Sequence, residues 1–161
     1  MTGEPPDHGD LIKAEARVRP LAIETPLIRN DALDAAAGAR VWIKPECLQT
    51  TGSFKIRGAM NRLSRIDPAD HPGGVVAFSS GNHARGVARA ARHFGLPAQI
   101  VMPRDAPEVK SQGVRADGAR IRFYDRERES REEIAAELAE ARGAVLVPSF
   151  DDPMIVAGQG T

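Results

Sequence analysis

From residue 54 onward, short apolar runs alternate with stretches in which apolar residues recur every three or four positions. The runs Val75–Phe78, Gln99–Met102, Ile121–Tyr124 and Ala144–Val147 predict four buried strands, because continuous apolar runs are typical of parallel strands covered on both faces. The stretches between and before them predict helices over about 54–66, 82–94, 107–116 and 130–142. This alternation predicts an α/β fold, a doubly wound parallel four-stranded sheet with flanking helices.

The first fifty residues do not follow this alternation. They predict short helices over about 10–19 and 31–37, and a strand at Arg40–Lys44 from the alternation of Val41 and Ile43. After the fourth strand the chain predicts a loop that runs through Pro153. We therefore divide the chain into an N-terminal segment (1–50), a small α/β domain (51–150) and a tail (151–161).

One lysine stands at the start of the first long helix, directly after a turn rich in Thr, Gly and Ser. Ser53 is predicted to be the N-cap, so Lys55 falls in the first helical turn. The positive end of a helix disfavours another cation, which suits an amine that must lose its proton to form a Schiff base. An ordinary solvated lysine beside a turn is the alternative, and the local sequence by itself favours it.

A second polar cluster, Ser79-Ser80-Gly81-Asn82-His83, lies where the first strand ends and the next helix begins. Gly81 permits a tight turn, and the helix N-terminus offers free N–H groups to an anion such as a substrate carboxylate. A simple capping turn is the alternative, because Ser and Asn are common caps. By itself, His83 would be read as a partly buried helix residue.

Composition narrows the possible partners. The net charge is +0, from 22 basic and 22 acidic residues, and aromatic residues make up 4%, so nucleic acid and membrane partners are not expected. Cys47 is the only cysteine, which rules out an intramolecular disulfide and fits a reducing compartment. With no signal-peptide pattern at the N-terminus, we expect a cytoplasmic protein, and we predict no metal site.

Two motifs together resemble one family. The first is Ser-Phe-Lys-Ile-Arg-Gly-Ala at 53–59 with Glu46 and Gln49 upstream, and the second is Ser-Ser-Gly-Asn-His-Ala-Arg-Gly-Val-Ala at 79–88. Both resemble segments of the pyridoxal-phosphate (PLP) dependent serine/threonine dehydratases, the fold-type-II enzymes that include threonine ammonia-lyase and serine racemase. The resemblance extends from Thr25 to the end of the chain.

The resemblance implies a role for each matched position. Lys55 would bind PLP as a Schiff base, Phe54 would pack beside its ring, and Asn82 would hydrogen-bond its 3-hydroxyl oxygen. Ser80 matches the serine that faces the lysine across the ring in racemizing members, which makes it a second candidate catalytic residue. The loop around the substrate carboxylate would consist of Ser79, Ser80, Gly81, Asn82 and His83.

The resemblance further implies an ammonia-lyase that converts L-threonine or L-serine to a 2-oxo acid and ammonia, as a homo-oligomer in its full-length form. A serine or threonine racemase of the same family remains an alternative, and so does a remnant without catalytic activity. The family's glycine-rich phosphate loop does not occur in these 161 residues. We therefore expect the N-terminal part of a longer enzyme, with residues 1–50 belonging to a larger domain. By itself such a chain would bind PLP weakly, turn over no substrate and tend to self-associate.

Overall fold

The computed structural model describes residues 4–161, so the first three residues of the predicted N-terminal segment lie outside it. Four strands form one sheet in the order β3-β2-β1-β4, and each neighbouring pair is parallel. The strands are β1 (Val75–Phe78), β2 (Ala98–Pro103), β3 (Arg120–Tyr124) and β4 (Val145–Leu146). The predicted parallel four-stranded sheet is confirmed.

Helices cover both faces of this sheet. They are α1 (His8–Val18), α2 (Asp31–Ala37), α3 (Lys55–Leu63), α4 (Asn82–Phe94), α5 (Glu108–Ala116), α6 (Arg131–Arg142) and α7 (Pro153–Gln159). Val75, Ala77 and Ile100 point to one face, in a core shared with buried residues of α1, α3, α4, α5 and α7. Val76 and Val101 point to the other face, where they meet Ala135 and Ala139 of α6. Strand side chains alternate between faces, so apolar residues at consecutive positions bury both sides.

The strand order places a topological switch between β1 and β4. The chain builds β2 and β3 on one side of β1 and then returns to place β4 on the other side. Pairing continues past the end of β4, because the Val147 N–H donates to the Val76 carbonyl oxygen at 2.8 Å. In doubly wound sheets, ligands bind at the carboxyl ends of the strands beside such a switch.

Two local expectations were wrong in the segments before α3. The strand predicted at Arg40–Lys44 is reduced to one antiparallel bridge between Ile28 and Ile43. Trp42 remains 57% exposed and Ile43 37% exposed. Because these side chains gain little burial, there is little to stabilise a longer pairing. Ser53 does not cap α3 with its side chain: its Oγ is buried without a hydrogen-bond partner in the described part of the chain, and Phe54 is the N-cap residue.

The chain after β4 was predicted only as a loop, but it ends in α7. The Asp152 carboxylate caps this helix by accepting from Met154 N at 2.8 Å and Ile155 N at 3.0 Å. The pair Asp-Pro is a helix-start signature that the sequence reading passed over. Helix α7 packs closely on α3, because a Cβ placed on Gly158 would lie 2.8 Å from the Cα of Gly58. The domain limits at residues 50 and 150 stay predictions.

None of the helices within residues 4–161 is both long enough and apolar enough to cross a bilayer.

Candidate active site

Lys55 is the first residue of α3, and close helix packing fixes its backbone. Helix α4 crosses beside it at Gly86, where a Cβ would lie 3.1 Å from the Lys55 carbonyl carbon and oxygen. Such a contact is tighter than side chains usually tolerate, so glycine at position 86 permits this approach. Nothing in the sequence reading had assigned a role to Gly86.

The Lys55 side chain reaches across to the end of β4. Its Nζ donates to the backbone carbonyl oxygen of Ser149 at 2.9 Å, and it lies 5.0 Å from the centroid of the Phe54 ring. Burial lowers the pKa of the Lys55 amine from its ordinary value, because removing water disfavours the charged form. The structure therefore places an amine with a lowered pKa at the switch between β1 and β4, which is what Schiff-base chemistry requires.

The N-terminus of α4 lies at the same edge and has no side-chain cap. The Gly81 N–H donates to the Ser79 Oγ at 3.2 Å, so this serine bonds within the turn and leaves the first turn of α4 open. Ser79, Ser80 and Gly81 are partly buried, whereas Asn82 is exposed. A thirteen-residue helix with an uncapped N-terminus presents N–H groups and partial positive charge to an anion.

His83 belongs to this turn through its backbone, but its ring points into the protein interior. The residue is 3% exposed, and its Nε2 lies 3.1 Å from the Val147 carbonyl oxygen. A carbonyl can only accept, so Nε2 carries the proton. Burial, aided by the nearby charge of Lys55 and opposed by the bond to Val147, lowers the pKa of His83 to about 4. The ring is therefore neutral near pH 7 and faces the end of β4, away from the loop surface.

Two cations that the sequence reading had not assigned to the site lie near the loop. The Lys110 Nζ lies 3.7 Å from the position that a Cβ on Gly81 would occupy. The Arg131 guanidinium lies 5.3 Å from the centroid of the Phe78 ring, at the carboxyl end of β1. Lys110 lies in the part of the sequence that resembles the family, and this resemblance is the sequence feature that could have suggested a role for it. Its position beside Gly81 follows only from the fold.

A buried ion pair ties the N-terminal segment to α3, two residues beyond Lys55. Arg57 is 7% exposed and donates to both carboxylate oxygens of Glu46, at 2.8 Å and 2.9 Å. Glu46 also accepts from the Thr25 hydroxyl at 2.6 Å, and the Gln49 amide bonds both backbone groups of Ile23. The hydrogen bonds from Arg57 and Thr25 outweigh the opposing effect of burial and hold the pKa of Glu46 at about 2.

The structure thus brings some of the predicted site residues together. Lys55 contacts Phe54, and the five loop residues 79–83 share the carboxyl edge of the sheet with it. Ser149, whose carbonyl holds the amine, was not foreseen. The roles assigned to Ser80, Asn82 and the other loop residues toward a cofactor and substrate stay predictions.

The Lys55 amine and the N-terminus of α4 thus lie at the switch point of the doubly wound sheet. The sequence profile of the family described as pyridoxal-phosphate dependent enzyme matches residues 18–161. The chain therefore belongs to the family of PLP-dependent enzymes, and the resemblance inferred from the two motifs is confirmed.

Individual relatives agree with this membership. An L-threo-3-hydroxyaspartate ammonia-lyase from Pseudomonas sp is 55% identical over 154 residues, which is 96% of this chain and 48% of the relative. An L-threonine ammonia-lyase from Thermotoga maritima is 42% identical over 94% of this chain and 38% of the relative. The structure of maize serine racemase superimposes with a TM-score of 0.91 at 39% identity, covering 98% of this chain and 48% of that one. The chain spans about half the length of the curated relatives it matches.

Lys55 fits the aldehyde group of the family's cofactor, whereas the glycine-rich loop for its phosphate does not occur in these 161 residues. PLP requires a lysine amine that can lose its proton, and burial shifts the pKa of Lys55 in that direction. The amine lies at an edge of the sheet lined by polar residues and not in the closed core, so a ring could reach it from the open side. The role of Lys55 as the covalent partner of the cofactor stays a prediction that this position is compatible with.

Proposed function

We propose that this chain carries the lysine and the carboxylate-binding loop of a PLP-dependent ammonia-lyase that acts on small β-hydroxy amino acids. The observation that carries the proposal is the position of the Lys55 amine, 2.9 Å from Ser149 O and beside the uncapped N-terminus of α4. Lys55 would hold the cofactor, Phe54 would pack beside its ring, and Asn82 would hydrogen-bond its 3-hydroxyl oxygen. When bound, PLP supplies an electron sink for the bond that breaks at the substrate Cα.

The chain's own residues would then bind, orient and move a proton. The N–H groups of the first turn of α4, with the Ser79–His83 loop, would bind the substrate carboxylate. That contact would orient the Cα–H bond toward Lys55, whose neutral amine would take the proton as general base. The β-hydroxyl group would take up a proton and leave as water, and hydrolysis of the resulting enamine by another water molecule would give a 2-oxo acid and ammonia.

The substrate proposed first is L-threonine or L-serine. A second candidate is 3-hydroxyaspartate, which carries an additional carboxylate on Cβ. The position of Lys110 near Gly81 favours it, because a cation beside the loop could pair with that second carboxylate. The Pseudomonas relative that shares 55% identity bears the name of such an enzyme, which supports this candidate.

Racemization is the alternative within the same chemistry. It would require a second group on the face opposite Lys55, and Ser80 is the residue proposed for that role. A remnant without catalytic activity is the other alternative. We also propose that the protein works in the cytoplasm and that its full-length form is a homo-oligomer, as the lone Cys47 and the family membership suggest.

Product assays separate these possibilities. The full-length form of the protein is incubated with PLP and, in turn, with L-threonine, L-serine and L-threo-3-hydroxyaspartate, and both oxo acid and D-amino acid are measured against free PLP. A lyase yields oxo acid that disappears in Lys55→Ala, whereas a racemase yields D-serine. Because the chain spans about half the length of its relatives, we expect no oxo acid from these 161 residues alone. Oxo-acid production by the 161-residue chain would contradict that expectation, and production that persists in Lys55→Ala would contradict the proposed function.

A further inference from the structure

We propose that His83 is a positioning residue, whose ring N–H holds the end of β4 so that Ser149 presents its carbonyl to the Lys55 amine. The importance of this role for catalysis rests on the proposed function. The positioning itself does not, since it concerns contacts within the chain. It differs from the role that the motif implied, in which His83 belonged to the loop around the substrate carboxylate.

The argument begins with Val147, which is fully buried and held through both of its backbone groups. Its N–H donates to the Val76 carbonyl at 2.8 Å, and its carbonyl oxygen lies 3.1 Å from the His83 Nε2. The next residue is Pro148, whose ring fixes its own φ angle. Ser149 follows directly, so the place where its carbonyl oxygen lies depends on how Val147 is held.

The far end of this loop is anchored as well. Asp152 pairs with Arg62 at 2.9 Å and caps α7. Between the anchors, Asp151 has a φ of +60°, the one positive value at a residue other than glycine within the described part of the chain. Aspartate is one of the few residue types that adopt this conformation readily, and here it turns the chain sharply before α7. The segment that carries Ser149 is therefore short and held at both ends.

The chemistry of the ring also points to a donor role. His83 Nδ1 is buried and has no hydrogen-bond partner in the described part of the chain. Burying an unpaired polar atom costs free energy, so an apolar side chain would serve better if the position only filled space. The imidazole is useful here because of the hydrogen bond that its Nε2–H donates to Val147.

The test measures the Lys55 amine without cofactor or substrate. The chain has four lysines, Lys13, Lys44, Lys55 and Lys110. Trace labelling with acetic anhydride across a pH series, followed by peptide mass spectrometry, gives a separate profile for each amine. Lys44 is an internal reference, because its Nζ also bonds a backbone carbonyl, that of Thr25, at 2.9 Å. The charge of Lys55 contributes to the lowered pKa of His83, so the replacements of His83 are chosen to be neutral.

Three variants make the comparison. In His83→Leu the N–H that holds Val147 is lost, so the Ser149 carbonyl is no longer held against the Lys55 amine. The labelling midpoint of Lys55 should then shift, while that of Lys44 stays in place. His83→Gln puts an amide N–H near the position of Nε2 and should restore the midpoint. His93→Leu is the matched control, since His93 is an exposed residue near the other end of α4 and should change nothing. An unchanged Lys55 midpoint in folded His83→Leu, or no restoration by His83→Gln, overturns the proposal.

A measurement on the unaltered chain covers the case in which His83→Leu does not fold. Nitrogen-15 NMR of the histidine rings distinguishes the two neutral tautomers. The proposal requires the proton of His83 on Nε2 near pH 7, and a proton on Nδ1 overturns it. Because neither experiment involves PLP or an amino-acid substrate, failure of the proposed lyase function would leave both results interpretable.

Discussion

The Lys55 Nζ donates to the Ser149 carbonyl oxygen at 2.9 Å, across a separation of 94 residues in the chain. This contact joins the first residue of α3 to the loop that follows β4, at the point where the strand order reverses. It places the amine at the sheet edge where doubly wound folds bind their ligands. The topology thus accounts for where the Lys55 amine lies.

Asn82 should affect the cofactor without being its covalent partner. In Asn82→Ala we expect weaker PLP retention, because an amide near the 3-hydroxyl oxygen is lost, while attachment to Lys55 still occurs. Equilibrium dialysis against PLP measures retention, and the near-visible absorbance reports attachment. Asn30→Ala is a control, since Asn30 is the N-cap of α2, outside the candidate site. If Asn82→Ala retains PLP as the unaltered chain does, Asn82 does not contact the cofactor, and the Ser79–His83 loop serves only to begin α4.

Glu46 and Arg57 should stabilise the fold at neutral pH. Replacement by Glu46→Gln leaves a buried guanidinium without its carboxylate, which costs about 3 kcal/mol of unfolding free energy. Urea unfolding at pH 7 measures this loss. Glu15→Gln is the matched control: Glu15 pairs with Arg19 at an exposed i,i+4 position, where solvent screens the pair and its removal should change stability little. Equal effects from the two substitutions would contradict the assignment of Glu46 and Arg57 as a structural tie.

The same pair predicts a dependence on pH. The folded pKa of Glu46 is about 2, below its ordinary value of 4.5, so its contribution is present above pH 4.5 and is lost as pH falls toward 2. Unfolding free energy should therefore fall between those pH values in the unaltered chain and fall less steeply in Glu46→Gln.

His83 predicts a second dependence on pH. The pKa of His83 is lowered from 6.5 to about 4, so unfolding free energy should also fall as pH decreases from 6.5 to 4. In His83→Gln the fall in unfolding free energy due to His83 should be absent, which leaves the fall due to Glu46 to be measured separately.

The parts of the fold that sequence predicted are those set by burial. β1 and α4 have the limits read from the chain, because continuous apolar runs and helical spacing follow directly from which faces are covered. The strand predicted at 40–44 does not form, although Val41 and Ile43 occupy alternate positions, because its pairing is limited to the single bridge between Ile43 and Ile28. Helix α7 was missed although Asp152 and Pro153 form an N-terminal signature.

The site divides in the same way. Lys55 and the 79–83 loop could be found because their chemistry depends on side-chain type and on a helix start. The partner of Lys55 could not be found, because it is the backbone carbonyl of Ser149, and every residue type offers that group. Lys110 reaches Gly81 only through the packing of α5 beside α4, so no local pattern reveals it.

Lys110 should matter for the substrate and not for the cofactor. In the full-length form of the protein, Lys110→Met should lower kcat/KM for L-threo-3-hydroxyaspartate about tenfold or more, since a hydrogen bond to a charged group contributes roughly 1.5–3 kcal/mol. The value for L-serine, which has no second carboxylate, should change little. Lys13→Met serves as the control, because Lys13 lies in α1 beside Asp10. Equal losses on both substrates would assign Lys110 a general role and remove the argument for an acidic substrate.

The central claim is that Lys55 is the lysine that binds PLP, and borohydride reduction tests it most directly. The 161-residue chain is mixed with PLP and reduced at once, so that even short-lived attachment is trapped, and the labelled lysine is identified by peptide mass spectrometry. The account predicts the phosphopyridoxyl label predominantly on Lys55, with little on Lys13, Lys44 and Lys110, because burial lowers the pKa of Lys55. Label distributed evenly over the four lysines, or concentrated on a lysine other than Lys55, would contradict it.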